Sequence, residues 1–221
     1  MTILGIDTCD KTAACAIVSD MGVLAESAFV TEHTHSQVIL PLAKRVLADA
    51  GLDMKDIDVF AAISGPGSYT GLRIGISAVQ GICYALDRKC VGVSALEALV
   101  YELAAYEGVV CAVMHARQDL MYNAFFRITD GKVERLTPDS IDKAEDVVSS
   151  MSRFDGVLVT GDVSYLSYDN IPSVRTAPVH LRRRTAVGLC CAAMTKEPAE
   201  PGLLMPDYLQ ITKAEKDLEN S

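Results

Sequence analysis

The sequence predicts an α/β protein whose mixed sheets are flanked by helices, and three observations carry that reading. Three strand-like segments follow one another at the start with only tight connections between them. Helical and strand periods alternate from residue 36 onward. Half of the 221 residues are hydrophobic, and they are spread along the chain, with no single long run.

The elements follow in order. Residues 3–9, 12–19 and 22–30 are rich in Val, Ile, Ala or Thr, as strands are. Asp10-Lys11 and Ser19-Asp20-Met21-Gly22 supply the turns. Such short links make the three an antiparallel meander. Residues 36–50 switch to a helical period, with Val38, Ile39, Leu42, Ala43, Val46, Leu47 and Ala50 on one face. Ser36 is the expected cap and Gly51 the expected stop. Pro41 inside the pattern predicts a kink or a later start. A strand at 59–64, a helix at 70–86, a strand at 90–93 and a helix at 94–106 complete the series. Ser94 is placed as N-cap, with Glu97 at the capping-box position. Strands followed by alternating helix and strand give a mixed sheet covered by helices, the ribonuclease-H-like arrangement.

A second series repeats part of the first. Strands are expected at 109–114, 121–128 and 132–136, with Asp130-Gly131 turning the last pair. A helix at 141–151, a strand at 156–160 and a helix at 185–195 follow. The expected division is a first lobe over 1–105, rejoined by the segment 200–221, and a smaller α/β lobe over 106–199. The charged residues 212–221 are expected to fray.

Composition bounds the function. The formal net charge is −9, which opposes direct nucleic-acid binding, because phosphate neutralisation dominates that affinity. One basic run, Arg182-Arg183-Arg184, runs against the trend. A solvated helix start is the plainer reading and a phosphate contact the alternative. No run of 18 apolar residues occurs, so no membrane helix is expected. The first residues lack a basic leader, so no signal peptide is read. Seven cysteines, an odd number without C-x-x-C spacing, predict reduced, buried thiols in a cytoplasmic protein and no zinc site.

The most informative stretch runs from Gly65 to Gly81. It follows a strand and opens a helix, which is where a phosphate-cradling loop would sit. No Gly-Lys-Ser/Thr follows, and the spacing is not the dinucleotide fingerprint. Asp7, Gly65, Gly67 and Ser68 therefore stand as a vestigial phosphate or nucleotide site. Within the helix, Leu72, Ile76, Val79, Cys83 and Leu86 make a heptad-like seam. Gly71, Gly75, Ala78, Gly81 and Ala85 make a second stripe of small residues. An interior glycine costs about 1 kcal/mol relative to alanine, so something approaches this helix closely. The chain's own sheet and a partner helix are both open readings.

The run G-P-G-S-Y-T-G-L-R-I-G over 65–75 resembles the signature of the TsaB family. Ile6-Asp7-Thr8, His35-Ser36 before Leu40-Pro41-Leu42, Gly92-Val93-Ser94-Ala95-Leu96-Glu97 and Pro206-Asp207-Tyr208-Leu209 with Ala214-Glu215 are similar to its pattern, in the same order. The resemblance covers 3–125 and the C-terminal segment and is thin from 127 to 200. It implies a two-lobed actin-like fold without catalysis of its own. Such proteins are needed for threonylcarbamoyladenosine at adenosine 37 of tRNA. They pair with a catalytic TsaD-like subunit, which a TsaE-like ATPase joins, and meet tRNA only indirectly. The pairing would bury the helices 36–50 and 70–86 as a four-helix bundle, through Val38, Leu42, Val46, Gly71, Leu72, Gly75, Ile76, Ala78, Val79 and Cys83. In isolation the same surface is expected to make a homodimer. No cofactor of its own is implied; ATP or ADP would sit at the interface of the complex. The pattern departs at His115-Ala116-Arg117, where the family has Asp-Ala-Arg, near Leu120, where a glutamate is expected, and at Gln210.

No catalytic or metal-binding residue is predicted. Asp7 occupies the position of the first-strand aspartate of actin-like enzymes, but Thr8-Cys9-Asp10-Lys11 contains no phosphate-admitting glycine. A turn cap is the other reading of Asp7. His33 and His35 are two apart, unlike the H-x-x-x-H pair of the catalytic relative. Ser68 and Tyr69 have no histidine nearby in sequence. The alternatives are an independent actin-like ATPase or phosphotransferase and a metal-dependent peptidase-like hydrolase.

Overall fold

The computed structural model describes residues 1–30, 34–168 and 171–209. The first three strands, β1 (Thr2–Asp7), β2 (Thr12–Ser19) and β3 (Gly22–Val30), form the expected antiparallel meander. β4 (Val59–Gly65) joins β1 in parallel, and β5 (Lys89–Ser94) joins β4 in parallel. The sheet order is β3-β2-β1-β4-β5. Helix α1 (His35–Ala50) leads into β4, and α2 (Tyr69–Leu86) crosses from β4 to β5.

The second sheet repeats this plan. β6 (Gly108–Arg117), β7 (Leu120–Thr129) and β8 (Lys132–Arg135) form a second antiparallel meander. β10 (Val157–Gly161) and β11 (Val174–Thr176) extend it in parallel beyond β6. The order β11-β10-β6-β7-β8 mirrors the first sheet strand for strand. The repeat is topological, which explains why it reads weakly in the residues.

The layers follow from where apolar side chains go. Leu4, Ile6, Cys15 and Phe60 point from the first sheet onto α1 and α2. Ile3, Ala16 and Ala61 point to the other face, where α3 (Ala95–Tyr101) and α5 (Ala186–Ala193) lie. β1 is therefore buried on both faces, which is why it reads as a continuous apolar run. Val110, Ala112, Ala124 and Phe126 of the second sheet close on the same core. The far face of that sheet, with Phe125 and Val159, is covered by α4 (Ala144–Met151). Helices α3 and α5 are thus the filling between two sheets. Although α5 was expected with the second series, it packs on the first sheet: Cys190 Sγ approaches the Ile3 and Ala16 carbonyls at 3.8 and 3.6 Å.

Four local expectations change. Helix α1 runs through Pro41 from His35, with no later start. Pro41 and Gln37 are both exposed, so the carbonyl that the missing N–H leaves free is on the solvent side of the helix. Residues 140–143 form a strand, β9 (Ser140–Lys143), paired with β7, and only Ala144–Met151 is helical. The helix expected over 94–106 ends at Tyr101. Ser94 does cap it, accepting from Leu96 and Glu97 N–H. The side chain of Glu97, however, goes to Arg135 at 3.3 Å and Lys196 at 3.0 Å instead of back to the cap. Gly51 ends α1 in the left-handed conformation, as expected.

Candidate functional site

Two places collect the residues that the sequence singled out: the cleft between the sheets and the helices α1 and α2. The cleft is built on the end of β1. Asp7 is buried there, and its Oδ1 accepts the Cys9 N–H at 2.9 Å, the turn-capping role. Its Oδ2 accepts from Arg184 Nε at 2.6 Å. A second nitrogen of Arg184 donates to Asp10 Oδ2 at 2.9 Å. The Arg184 side chain is only 4% exposed. Burial opposes its charge, but Asp7, Cys9 and Asp10 more than offset this and hold the guanidinium pKa well above its usual value.

The basic run is therefore not simply a solvated helix start. Arg184 is buried, Arg182 half-buried and Arg183 exposed. Arg182 Nε donates to the Ala177 carbonyl at 2.6 Å. The helix cap is Thr185, whose Oγ1 accepts from Val187 and Gly188 N–H. Sequence reasoning missed the pairing of Arg184 with Asp7 because the two are 177 positions apart. The available signal was three arginines directly before a cap in an acidic chain.

A cavity of about 500 Å³ opens above this pair, between the sheets. Its lining includes Lys11, Ser68, Met114, His115, Arg182 and Arg183. His115 stacks on Tyr165 with ring centroids 3.9 Å apart, and its backbone N–H donates to Asp162 Oδ2 at 2.8 Å.

The glycine-rich stretch is largely spent on the fold. Ser68 Oγ accepts the Gly71 N–H and caps α2. A side chain at Gly67 would put its Cβ 2.8 Å from the Cys9 carbonyl oxygen. Gly65 takes φ of +155° with the Asp207 carbonyl against it. Of the expected phosphate-site residues, Asp7, Gly65 and Gly67 hold the chain to itself; Gly67 and Ser68 also line the cavity. His35 Nε2 lies 2.6 Å from the Asp10 carbonyl oxygen; His33 lies outside the described residues, as do Gln210, Ala214 and Glu215. Among the described residues no three His, Cys, Asp or Glu side chains group as metal ligands.

Most of the residues expected on the partner face lie inside the chain's own fold. Leu42, Val46, Ile76, Val79 and Cys83 are buried in the chain's own core against the first sheet, and Leu72 is buried in the core between the sheets. Gly71 and Gly75 are buried too. The Thr8 hydroxyl donates to the Gly71 carbonyl at 2.7 Å, and a Cβ at Gly75 would stand 2.7 Å from that hydroxyl oxygen. Only Val38 and Ala78 of the ten remain partly exposed. The physical reason is the helix period. The seam and the first two glycines share the inward side of α2, while the small stripe drifts outward along the helix. Gly81 and Ala85 are exposed, and nothing stands within 4 Å of a Cβ built on Gly81. Tyr84 is 66% exposed and Leu40, on α1, 44%.

The segment after α5 returns to α2. Gln80 Nε2 donates to the Pro201 and Leu204 carbonyls at 2.9 and 3.0 Å, and Asp207 N–H donates to Ser64 O at 2.7 Å. Tyr208 stacks on Tyr69 at 4.6 Å and accepts from Arg73 Nε at 2.8 Å.

A family model described as TsaD, tRNA N6-adenosine threonylcarbamoyltransferase, matches residues 21–166. The chain is 30% identical to the tRNA threonylcarbamoyladenosine biosynthesis protein TsaB of Bacillus subtilis over 223 residues, covering 97% of this chain and 96% of that one. Among solved structures it is similar to YeaZ from Pseudomonas aeruginosa, with 25% identity, a TM-score of 0.79, and coverage of 94% of this chain and 99% of the other. The Acidaminococcus fermentans (R)-2-hydroxyglutaryl-CoA dehydratase component A shares the fold, with 14% identity, a TM-score of 0.52, and coverage of 88% and 97%. The two repeated sheets and these likenesses make the fold two-lobed and actin-like.

Proposed function

The chain belongs to the TsaB family, and from that premise we propose that it serves threonylcarbamoyladenosine formation in tRNA as a non-catalytic scaffold. It pairs with a TsaD-like catalytic subunit, to which a TsaE-like ATPase is added, and works in the cytoplasm. The observation that carries the reading is the relation to the Bacillus subtilis protein over nearly the whole of both chains. The match of a TsaD model to residues 21–166 supports a partner of related fold.

Two features support the scaffold role. The carboxylate that would position a metal-bound phosphate is already held by Arg184. The outer side of α2 carries an exposed glycine and alanine beside Ala78, so that a partner helix can approach its backbone. The docking face is therefore assigned to Val38, Ala78, Gly81 and Ala85 rather than to the buried seam. The same face would let the chain self-associate when the partner is absent.

Gly81→Arg tests the assignment. The variant should fold at least as well as the parent, because arginine is the better helix former and meets open space. It should fail to co-elute with the TsaD-like protein. A well-folded variant that still pairs with full affinity removes α2 from the interface.

A further inference from the structure

Actin-like folds imply a metal-held nucleotide between the lobes, and the residues at β1 do not fit one. A divalent ion placed at Asp7 would face the Arg184 guanidinium, which already takes Asp7 Oδ2 at 2.6 Å and Asp10 Oδ2 at 2.9 Å. Thr8, next along, is buried and gives its hydroxyl to the Gly71 carbonyl. The cation the site is built around is a side chain.

The cavity above is nevertheless of ligand size, at about 500 Å³. Its wall carries Lys11, Arg182, Arg183 and Arg184 against Asp10 and Asp162. Asp10 is paired with Arg184, and Asp162 accepts the His115 N–H. Among the described residues Lys11, Arg182 and Arg183 close no ion pair with an acid. Three cations without an acidic partner among the described residues thus converge on one cleft, Arg182 through the nitrogens that its Nε bond to the Ala177 carbonyl leaves free, in a chain whose net charge is −9. Gly67 and Ser68 bring the positive end of the 18-residue α2 to the same wall. Leu99 and Met114 make part of the lining apolar.

We propose that the inter-lobe cleft binds a small phosphate-bearing ligand directly on Lys11, Arg182 and Arg183, without a divalent cation. Guanidinium and ammonium groups hold phosphate oxygens through charge-assisted hydrogen bonds, which need no bridging metal. A free divalent ion in solution competes with these side chains for the phosphate charge. The metal preference is therefore the reverse of that of an actin-like ATPase, and the ligand is bound without being turned over.

The test is calorimetry on the full chain with ADP, inorganic pyrophosphate and adenosine, first in EDTA and then with excess Mg²⁺. The expected result is binding of ADP in EDTA, weakened several-fold by Mg²⁺, with adenosine bound at least tenfold more weakly. Pyrophosphate binding as tightly as ADP supports a bare phosphate as the ligand; weaker binding supports a nucleoside phosphate with its base on the apolar wall. Lys11→Ala with Arg183→Ala, both at exposed positions, should lower affinity at least tenfold with no change in melting temperature. The proposal is overturned if no phosphate compound binds in EDTA, if binding requires Mg²⁺, or if the double variant binds like the parent. None of these readouts involves the TsaD-like partner, so failure here leaves the pairing reading standing.

Discussion

Arg184 Nε donates to Asp7 Oδ2 at 2.6 Å, tying the first strand, β1, to the residue before the cap of α5. Both side chains are almost fully buried. Breaking such a pair from one side leaves an uncompensated charge in the core, at a cost of about 3–5 kcal/mol. Arg184→Met should therefore lower unfolding stability by about that amount. Adding Asp7→Asn should recover a large part of it, because the stranded charge is gone. Urea titrations of the three variants read this directly. Equal destabilisation in the single and double variants would mean that packing, not charge, dominates the site.

The glycines of α2 should split in sign. Gly75→Ala places a methyl group 2.7 Å from the Thr8 hydroxyl oxygen and should destabilise the fold. Gly81→Ala meets open space and should stabilise it by up to about 1 kcal/mol. Thermal melts of both variants check the contrast.

Burial raises the pKa of Glu102 above the usual carboxylate range, against hydrogen bonds from the Thr185 hydroxyl and the Gly188 N–H that favour its charge. The folded state then holds this proton more tightly than the unfolded state. Between the ordinary and the raised value, the Glu102 contribution makes stability fall as pH rises. Glu102→Gln keeps an acceptor for both donors and removes the titration. The difference in melting temperature between variant and parent should grow in the variant's favour across that window and flatten above it.

The thiols should be quiet in the native protein. Burial pushes the pKa values of Cys9, Cys15, Cys111 and Cys190 upward. A hydrogen bond from Cys83 lowers that of Cys90, but Cys90 is only 1% exposed. Cys191 alone is partly exposed. A chromogenic disulfide reagent at neutral pH should titrate at most this one group quickly, and all seven after unfolding.

Gln80 anchors the returning segment through the Pro201 and Leu204 carbonyls. Gln80→Leu should cost about 1–2 kcal/mol, since two partly buried carbonyls lose their donor. Limited proteolysis should then cut within 201–209 faster than in the parent.

The fold was largely legible in the sequence because its signals are local. Tight turns marked the first meander, and Ser94 and Gly51 marked helix ends through cap chemistry that depends on their immediate neighbours. The short edge strand at 140–143 was hidden, since pairing with β7 rather than any pattern of its own makes it a strand. The site was less legible for the same reason. The partner of Asp7 comes from the far end of the chain. The division of the small stripe between Thr8 and open space depends on how α2 is rolled on the sheet, which its residues alone do not specify.

The proposed scaffold role places the partner on the outer face of α2. The most direct measurement is size-exclusion chromatography with light scattering of the chain and its TsaD-like partner, mixed and separate, for the parent and Gly81→Arg. A stable heterodimer is expected for the parent, and two separate peaks for a variant that melts no lower than the parent. A heterodimer that survives the substitution, or a parent that never pairs, would contradict it.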